Sequence, residues 1–128
     1  MSKSWIVQDF GDALKQFEDA LIIPADSDLV KAGCIQYFEF TFELAWKAIK
    51  FLVDDLGLPE CVSPKTCIRQ AFASRWIDNE EVWLEMLDAR NRMSHTYKAQ
   101  EALKIYGRLA DYSRELRVLY NKVAAVKP

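Results

Sequence analysis

The sequence predicts an all-α protein, an antiparallel four-helix-type bundle with one additional short helix. Hydrophobic residues make up 51% of the 128-residue chain, which contains only four glycines and four prolines. Apolar residues recur at intervals of three and four, the period of an amphipathic helix, and strand patterns are absent. A chain of this length can bury a core without metals or disulfides. We therefore expect residues 1–128 to form a single helical domain.

The first two predicted helices are separated by a turn that contains Pro24. Apolar spacing predicts the first helix over residues 5–21. Ser27 or Asp28 is suited to cap a second helix over about residues 29–56. This second helix is apolar over most of its circumference, and a small bundle offers only one full core. We therefore expect a second copy of the chain to cover its other side in a twofold homodimer, although helices of the same subunit could instead enclose it.

The later helices are predicted from their capping residues. Ser63 followed by Pro64 is typical of a helix start and predicts a short third helix that ends near Trp76. Asp78 with Glu81 resembles a capping box and predicts the start of a fourth helix, which we expect to join the second helix in the dimer interface. A fifth helix is expected over residues 99–123, with an apolar stripe formed by Leu103, Tyr106, Leu109, Leu116, Leu119 and Val123.

Charge, cysteine content and hydropathy limit the class of protein. A net charge of −2 and a pI near 5.4 argue against a protein that coats nucleic acid through a general positive field, so we expect no DNA binding and only local RNA contact. Cys34, Cys61 and Cys67 form no CxxC pair and are predicted to be reduced thiols in a reducing compartment. Neither a signal peptide nor a membrane-spanning run is evident. We therefore expect a cytoplasmic protein.

A cluster of polar residues is predicted at the end of the fourth helix. Arg90 falls in the apolar sector of that helix, and a guanidinium is almost never buried without a partner. Glu39 and Glu43, one turn apart on the second helix, are suited to pair with it. Asn91 and the single histidine, His95, are four residues apart and share a helix face. The long side chain of Arg90 can therefore converge with them.

These side chains suit a phosphate ligand. A guanidinium can hold two phosphate oxygens, an amide can orient the group, and an imidazole can transfer a proton near neutral pH. Nothing in the set suggests a metal, and we expect no cofactor. The alternative for Arg90 is an interhelical ion pair without any chemical role.

Two segments together resemble a known family: FEFTFELAWK at residues 38–47 and WLEMLDARNRMSHTY at residues 83–97. They are similar to the nucleotidyltransferase substrate-binding protein family, a HepT-like branch of the HEPN superfamily. The resemblance covers nearly the whole chain. It implies a HEPN-like helical bundle that forms a homodimer and acts beside a small, separately encoded MNT-type nucleotidyltransferase.

The resemblance also implies roles for particular residues. Arg90, Asn91 and His95 match the Arg-Asn-x3-His motif of the superfamily, which in toxin members is the active site of a metal-independent endoribonuclease. Tyr97 resembles the tyrosine that the partner enzyme modifies with AMP. The chain itself has no Gly-Ser turn followed by an Asp-x-Asp pair for catalytic metals, so any nucleotidyl transfer requires another protein.

Three functions are compatible with the sequence. The first is a dimeric subunit that acts with the nucleotidyltransferase and binds a nucleotide or another substrate through Arg90, Asn91, His95, Glu39 and Glu43. The second is a ribonuclease toxin with Arg90, Asn91 and His95 as catalytic residues, neutralised by AMP addition to Tyr97. Cleavage through the 2′-hydroxyl needs an acid and a base, and a twofold dimer would supply two histidines. The third is a purely structural helical module.

Overall fold

The computed structural model describes residues 5–95 and 98–126, except for the side chains of residues 94 and 95. Within these ranges the chain forms helices and no strand, which confirms the all-α prediction. No helix in the described ranges is long and apolar enough to cross a membrane. The helices are α1 (Trp5–Ile22), α2 (Asp28–Asp55), α3 (Pro64–Ala73), α4 (Glu80–His95), α5 (Ala99–Tyr106) and α6 (Leu109–Ala125).

Helix α2 is the central element of the bundle and packs against α1, α3, α5 and α6. Phe38 is fully buried in the middle of this helix. Its ring centroid lies 6.2 Å from that of Phe17 on α1, 6.1 Å from that of Phe42, and 5.2 Å from that of Tyr112 on α6. Aromatic pairs at these distances add to the free energy gained from apolar burial. The core therefore fixes α2 between the first and last helices.

Two of the predicted helix starts are confirmed. The Ser27 hydroxyl accepts a hydrogen bond from the Val30 amide at 3.2 Å, which caps α2. At α3, Ser63 and Thr66 form a reciprocal capping box, and Pro64 occupies the first turn. These contacts satisfy backbone amides that have no partner inside a helix. The predicted bounds of α2 differ from the observed ones by one residue at each end.

The predicted end of α3 is wrong by three residues, and the predicted cap of α4 is wrong by one. Helix α3 ends at Ala73, before Trp76, because Arg75 adopts a left-handed backbone with φ 62°. The Trp76 amide then donates to the Ala71 carbonyl at 2.9 Å, which is the closing bond of a Schellman motif.

Helix α4 is capped by a different residue from the one predicted. The Val82 amide donates to the Asn79 side chain at 3.3 Å, and the helix begins at Glu80. The expected capping box between Asp78 and Glu81 is incorrect because Asp78 lies one residue too early to be the cap.

The predicted fifth helix is two helices, α5 and α6, interrupted at Gly107 and Arg108. Glycine has a low helix propensity, about 1 kcal/mol below alanine. Arg108 makes an ion pair with Glu85 on α4, with Nε 2.6 Å from Oε2, so the break also positions a cross-helix contact. Leu103, predicted to lie in the apolar stripe, is half exposed.

The cysteine prediction is wrong for two of the three residues. Cys61 and Cys67 are joined in a disulfide, with Cα atoms 5.0 Å apart. The bond links the loop after α2 to the first turn of α3. The chain turns back on itself between the two cysteines, which brings residues six apart in sequence into contact. Cys34 remains a free, buried thiol. The cysteines therefore give no support to a reducing compartment.

Candidate functional site

The candidate site lies where the C-terminal end of α4 meets the middle of α2. Arg90 on α4 forms the expected interhelical ion pair, with Nε 2.7 Å from Oε2 of Glu43. The side chains are 27% and 32% exposed, respectively. Charges at this depth are screened less than surface charges. Glu43 therefore holds the Arg90 guanidinium at the edge of the bundle.

Trp46 supports this ion pair from the next turn of α2. Its indole Nε1–H donates to Oε1 of Glu43 at 3.2 Å. Oε2 of Glu43 is buried and faces Nε of Arg90, so the two oxygens of this carboxylate contact different partners. Trp46 was not predicted as a site residue. Its position three residues after Glu43, within reach on a helix, was the available signal.

Glu39 lies one turn before Glu43 and is half buried. Burial raises the pKa of the Glu39 carboxyl, and the negative charge of Glu43 raises it further, while Arg90 opposes both effects. The two predicted carboxylates therefore differ in role. Glu43 contacts the guanidinium directly, and Glu39 interacts with it through the electric field.

Asn91 is placed beside Arg90 at the surface. The Nη1 group of Arg90 donates to Oδ1 of Asn91 at 3.0 Å. The C-terminal end of a helix carries a partial negative charge, so an anion bound here requires side-chain cations. Arg90, on α4 and held by Glu43 of α2, supplies such a cation here.

His95 and Tyr97 complete the predicted set only in part. His95 is the last residue of α4, which keeps it on one continuous helix with Asn91, but its side chain lies outside the described residues. Tyr97 lies outside the described ranges altogether. Their predicted roles as proton-transfer group and modified residue therefore stay predictions.

A second cluster fixes α4 from the opposite side. Arg108 binds both carboxylate oxygens of Glu85, with Nη2 3.0 Å from Oε1, and the Tyr112 hydroxyl donates to the same carboxylate. The Arg108 hydrogen bond lowers the pKa of Glu85. Burial and the Glu85 hydrogen bond raise the pKa of Tyr112. These contacts tie α4 to α6.

No group of three or more His, Cys, Asp or Glu side chains within residues 5–93 and 98–126 is arranged to hold a metal ion. The groups that the geometry offers to a ligand are the Arg90 guanidinium and the neighbouring Asn91 amide. Both recognise anionic oxygen atoms.

Comparison with known sequences places this geometry in a family. Residues 7–125 match the family model described as nucleotidyltransferase substrate binding protein like. The chain belongs to this family.

The chain is similar to proteins of known structure and to a named relative. It superposes on a protein from Thermus thermophilus with a TM-score of 0.81 and 32% identity, over 89% of this chain and 98% of the other. A Haemophilus influenzae protein, reported to have the fold of a substrate binding domain of a nucleotidyltransferase, matches with a TM-score of 0.78 and 26% identity over 92% and 98% of the two chains. A Haemophilus influenzae protein named Probable ribonuclease HepT is 31% identical over 103 residues, which are 75% of this chain and 68% of the relative.

Proposed function

We propose that the protein is a dimeric nucleotide- or RNA-binding subunit that acts with a separately encoded MNT-type nucleotidyltransferase. The phosphate of the ligand lies against Arg90, Asn91 and His95, and Glu43 positions the guanidinium. Two comparisons support the partnership with a nucleotidyltransferase: the description of the family, and the similar Haemophilus influenzae structure, which is reported to have the fold of a nucleotidyltransferase substrate binding domain.

The observation that carries this proposal is the Glu43–Arg90 pair. Here the guanidinium is held at its Nε edge by Glu43, is 27% exposed, and is next to an exposed amide. A guanidinium fixed in this way is preorganised for a phosphate, because little side-chain entropy is lost on binding.

Calorimetric titration with AMP and with ATP tests the phosphate site. We expect Arg90→Ala to abolish detectable binding. Arg92→Ala is the matched control, since Arg92 lies on the same helix and is paired with Asp88 at 3.0 Å and Glu101 at 2.9 Å. Equal affinities of wild type and Arg90→Ala would contradict the assignment of Arg90 as a ligand-binding residue.

A homodimer is part of the proposal because α2 has an uncovered apolar surface. Phe40 is 54% exposed and Tyr37 is 38% exposed. Together with Gly33 and Gln36 they line a groove of about 340 Å³, which we call the α2 dimer surface. Contiguous exposed apolar groups mark interaction sites, and Tyr37 and Phe40 line one groove, three residues apart on α2. Glu43 follows Phe40 by three residues, so pairing of two such surfaces would bring the two Arg90 sites near the twofold axis.

Light scattering at micromolar concentration tests the dimer. We expect wild type to be a dimer and Phe40→Asp to be a monomer. Phe72→Asp is the matched control, because Phe72 is similarly exposed on α3, away from the α2 dimer surface. A monomeric wild type would rule out the dimer and would weaken any mechanism that needs two histidines.

A second candidate function is a ribonuclease toxin, and the name of the 31% identical Haemophilus influenzae relative favours it. In this reaction the 2′-hydroxyl of RNA attacks the adjacent phosphorus, and the 5′-oxygen leaves. One His95 would accept the hydroxyl proton, and the His95 of a second protomer would protonate the leaving oxygen. Arg90 would stabilise the charge on the pentavalent phosphate, and Asn91 would hold the substrate.

Cleavage of RNA in the presence of EDTA separates the two functions. If the protein is a ribonuclease toxin, its expression without the nucleotidyltransferase should slow growth. His95→Ala should then abolish both the cleavage and the slow growth while the protein stays folded. Co-expression with the nucleotidyltransferase would then restore growth by transferring AMP from ATP to the Tyr97 hydroxyl with release of pyrophosphate. The added mass would be absent in Tyr97→Phe. An uncut RNA together with Arg90-dependent nucleotide binding would leave the binding subunit as the function.

A further inference from the structure

A groove adjoins the candidate site along the C-terminal half of α2 and the first turn of α1. It has a volume of about 660 Å³ and is lined by Trp5, Ile6, Trp46, Lys47, Lys50, Phe51, Asp54 and Asp55. We call it the tryptophan groove. Its volume is in the range of small-molecule sites. Trp5 is 57% exposed, so an aromatic face is open to a ligand at one wall.

The lining of the tryptophan groove combines aromatic rings with ammonium groups. This combination is typical of grooves that bind single-stranded nucleic acid, where bases stack on the rings and cations follow the backbone. At 1.5 Å per residue, Lys47 lies about 6 Å from Glu43 along the helix axis, and Lys50 lies about 10 Å away. Asp54 is about 16 Å away and pairs with Lys50 at 3.5 Å. The positive end of the groove is therefore nearer to Arg90.

Trp46 belongs to both the groove and the candidate site. Its ring lines the tryptophan groove, and its indole N–H holds the Glu43 carboxylate, whose other oxygen contacts Arg90. We propose that the tryptophan groove binds the base of the nucleotide whose phosphate lies on Arg90, and that Trp46 is the positioning residue that links the two subsites. This inference depends on the proposed phosphate site. The Trp46 indole and the Arg90 guanidinium contact the two oxygens of one carboxylate, so the two subsites are adjacent, as the base and phosphate of one nucleotide require.

A second copy of the chain is the competing occupant of this groove. The α2 dimer surface is centred on Phe40, which lies about 16 Å along the helix axis from Phe51. The two surfaces therefore occupy opposite halves of α2. Of these two surfaces, the tryptophan groove alone has lysines in its lining and shares Trp46 with the Glu43–Arg90 pair. Lys47, at the end nearer to Arg90, favours an anionic ligand there, and the rings favour an aromatic one.

Titration with AMP and with ribose 5-phosphate, which lacks the base, tests the base subsite. We expect wild type to bind AMP about tenfold more tightly than ribose 5-phosphate, because one base stacks on aromatic rings. Trp5→Ala and Phe51→Ala should remove this difference, and Phe72→Ala should preserve it. Trp5 is well exposed, so its substitution keeps the test valid if a change at Phe51 prevents folding.

The role of Trp46 as a positioning residue has a separate signature. Trp46→Phe retains a ring but removes the donor to Glu43, so it should weaken both probes equally while keeping their ratio. In wild type, phosphate added alone should shift the indole N–H resonance of Trp46. The same addition should leave that resonance unchanged in Arg90→Ala.

Three results would overturn the inference, and they differ from one another. Equal binding of both probes by wild type, with Arg90 still required, would remove the base subsite and leave the proposed function intact. Dissociation of the dimer by Phe51→Ala, with the probe ratio unchanged, would assign the groove to a contact between copies. Failure of both probes to bind wild type would end the proposed function and the subsite together.

Discussion

The Glu43–Arg90 ion pair should be measurable as a coupling free energy. Exposed ion pairs contribute about 0.2–1 kcal/mol, whereas breaking a fully buried pair costs about 3–5 kcal/mol. Both side chains are about two-thirds buried or more, at 27% and 32% exposure. We therefore expect Arg90→Ala and Glu43→Ala each to lower the free energy of unfolding by about 2 kcal/mol, with a coupling of about 1–2 kcal/mol between them.

Urea denaturation of wild type, the two single variants and the double variant completes this cycle. The matched control is the Lys15–Asp19 pair on α1, whose side chains are 72% and 59% exposed. Its coupling should stay below about 0.5 kcal/mol. A Glu43–Arg90 coupling no larger than that of the control would refute the inference that burial strengthens the pair and fixes the guanidinium.

Three other perturbations test the fold and the electrostatics. The pKa of the Glu39 carboxyl is higher in the folded state than in the unfolded state. The resulting contribution to stability is fully present below the unfolded-state pKa and is lost as the pH rises through the folded-state pKa. Glu39→Gln should therefore raise the melting temperature relative to wild type at pH 7 but not near pH 4; a pH-independent difference would contradict this. A β-carbon at Gly11 would lie 2.6 Å from a tyrosine ring of α6, so Gly11→Ala should lower the free energy of unfolding by about 1–3 kcal/mol, whereas Gly107→Ala, which meets nothing closer than 3.5 Å, should not. Reducing the Cys61–Cys67 disulfide should lower the free energy of unfolding by about 2 kcal/mol, and a Cys61→Ser protein should not respond to the reductant.

The sequence predicted the fold well where local patterns agree with tertiary packing. The bounds of α1 and α2 follow from three- and four-residue apolar spacing, and the caps at Ser27 and Ser63 follow from local side-chain chemistry. The break at Gly107 was missed because the apolar stripe continues across it. At the break, Arg108 contacts Glu85, a residue 23 positions earlier in the chain. Local apolar spacing carries no information about such a contact.

The sequence predicted several residues of the candidate site, but it did not predict which of them contact one another. Helical spacing indicated that Arg90 needs a carboxylate and offered two, Glu39 and Glu43. Only packing of α4 against α2 decides which one reaches the guanidinium. Trp46 escaped prediction because a tryptophan on an apolar helix is expected to serve packing, and its donor role depends on the rotamer of Glu43. The disulfide was missed because the chain reversal between Cys61 and Cys67 has no signature in the cysteine spacing.

The salt dependence of RNA binding tests the central claim most directly. The logarithm of the binding constant for a short single-stranded RNA falls with the logarithm of salt concentration, with a slope of about −0.7 for each phosphate neutralised. If Arg90 binds phosphate, Arg90→Ala should reduce the magnitude of the slope by about 0.7, or by about 1.4 if one RNA spans both protomers. Arg92→Ala should leave the slope near that of wild type. A slope that is identical in wild type and Arg90→Ala would contradict the account, since Arg90 would then neutralise no phosphate.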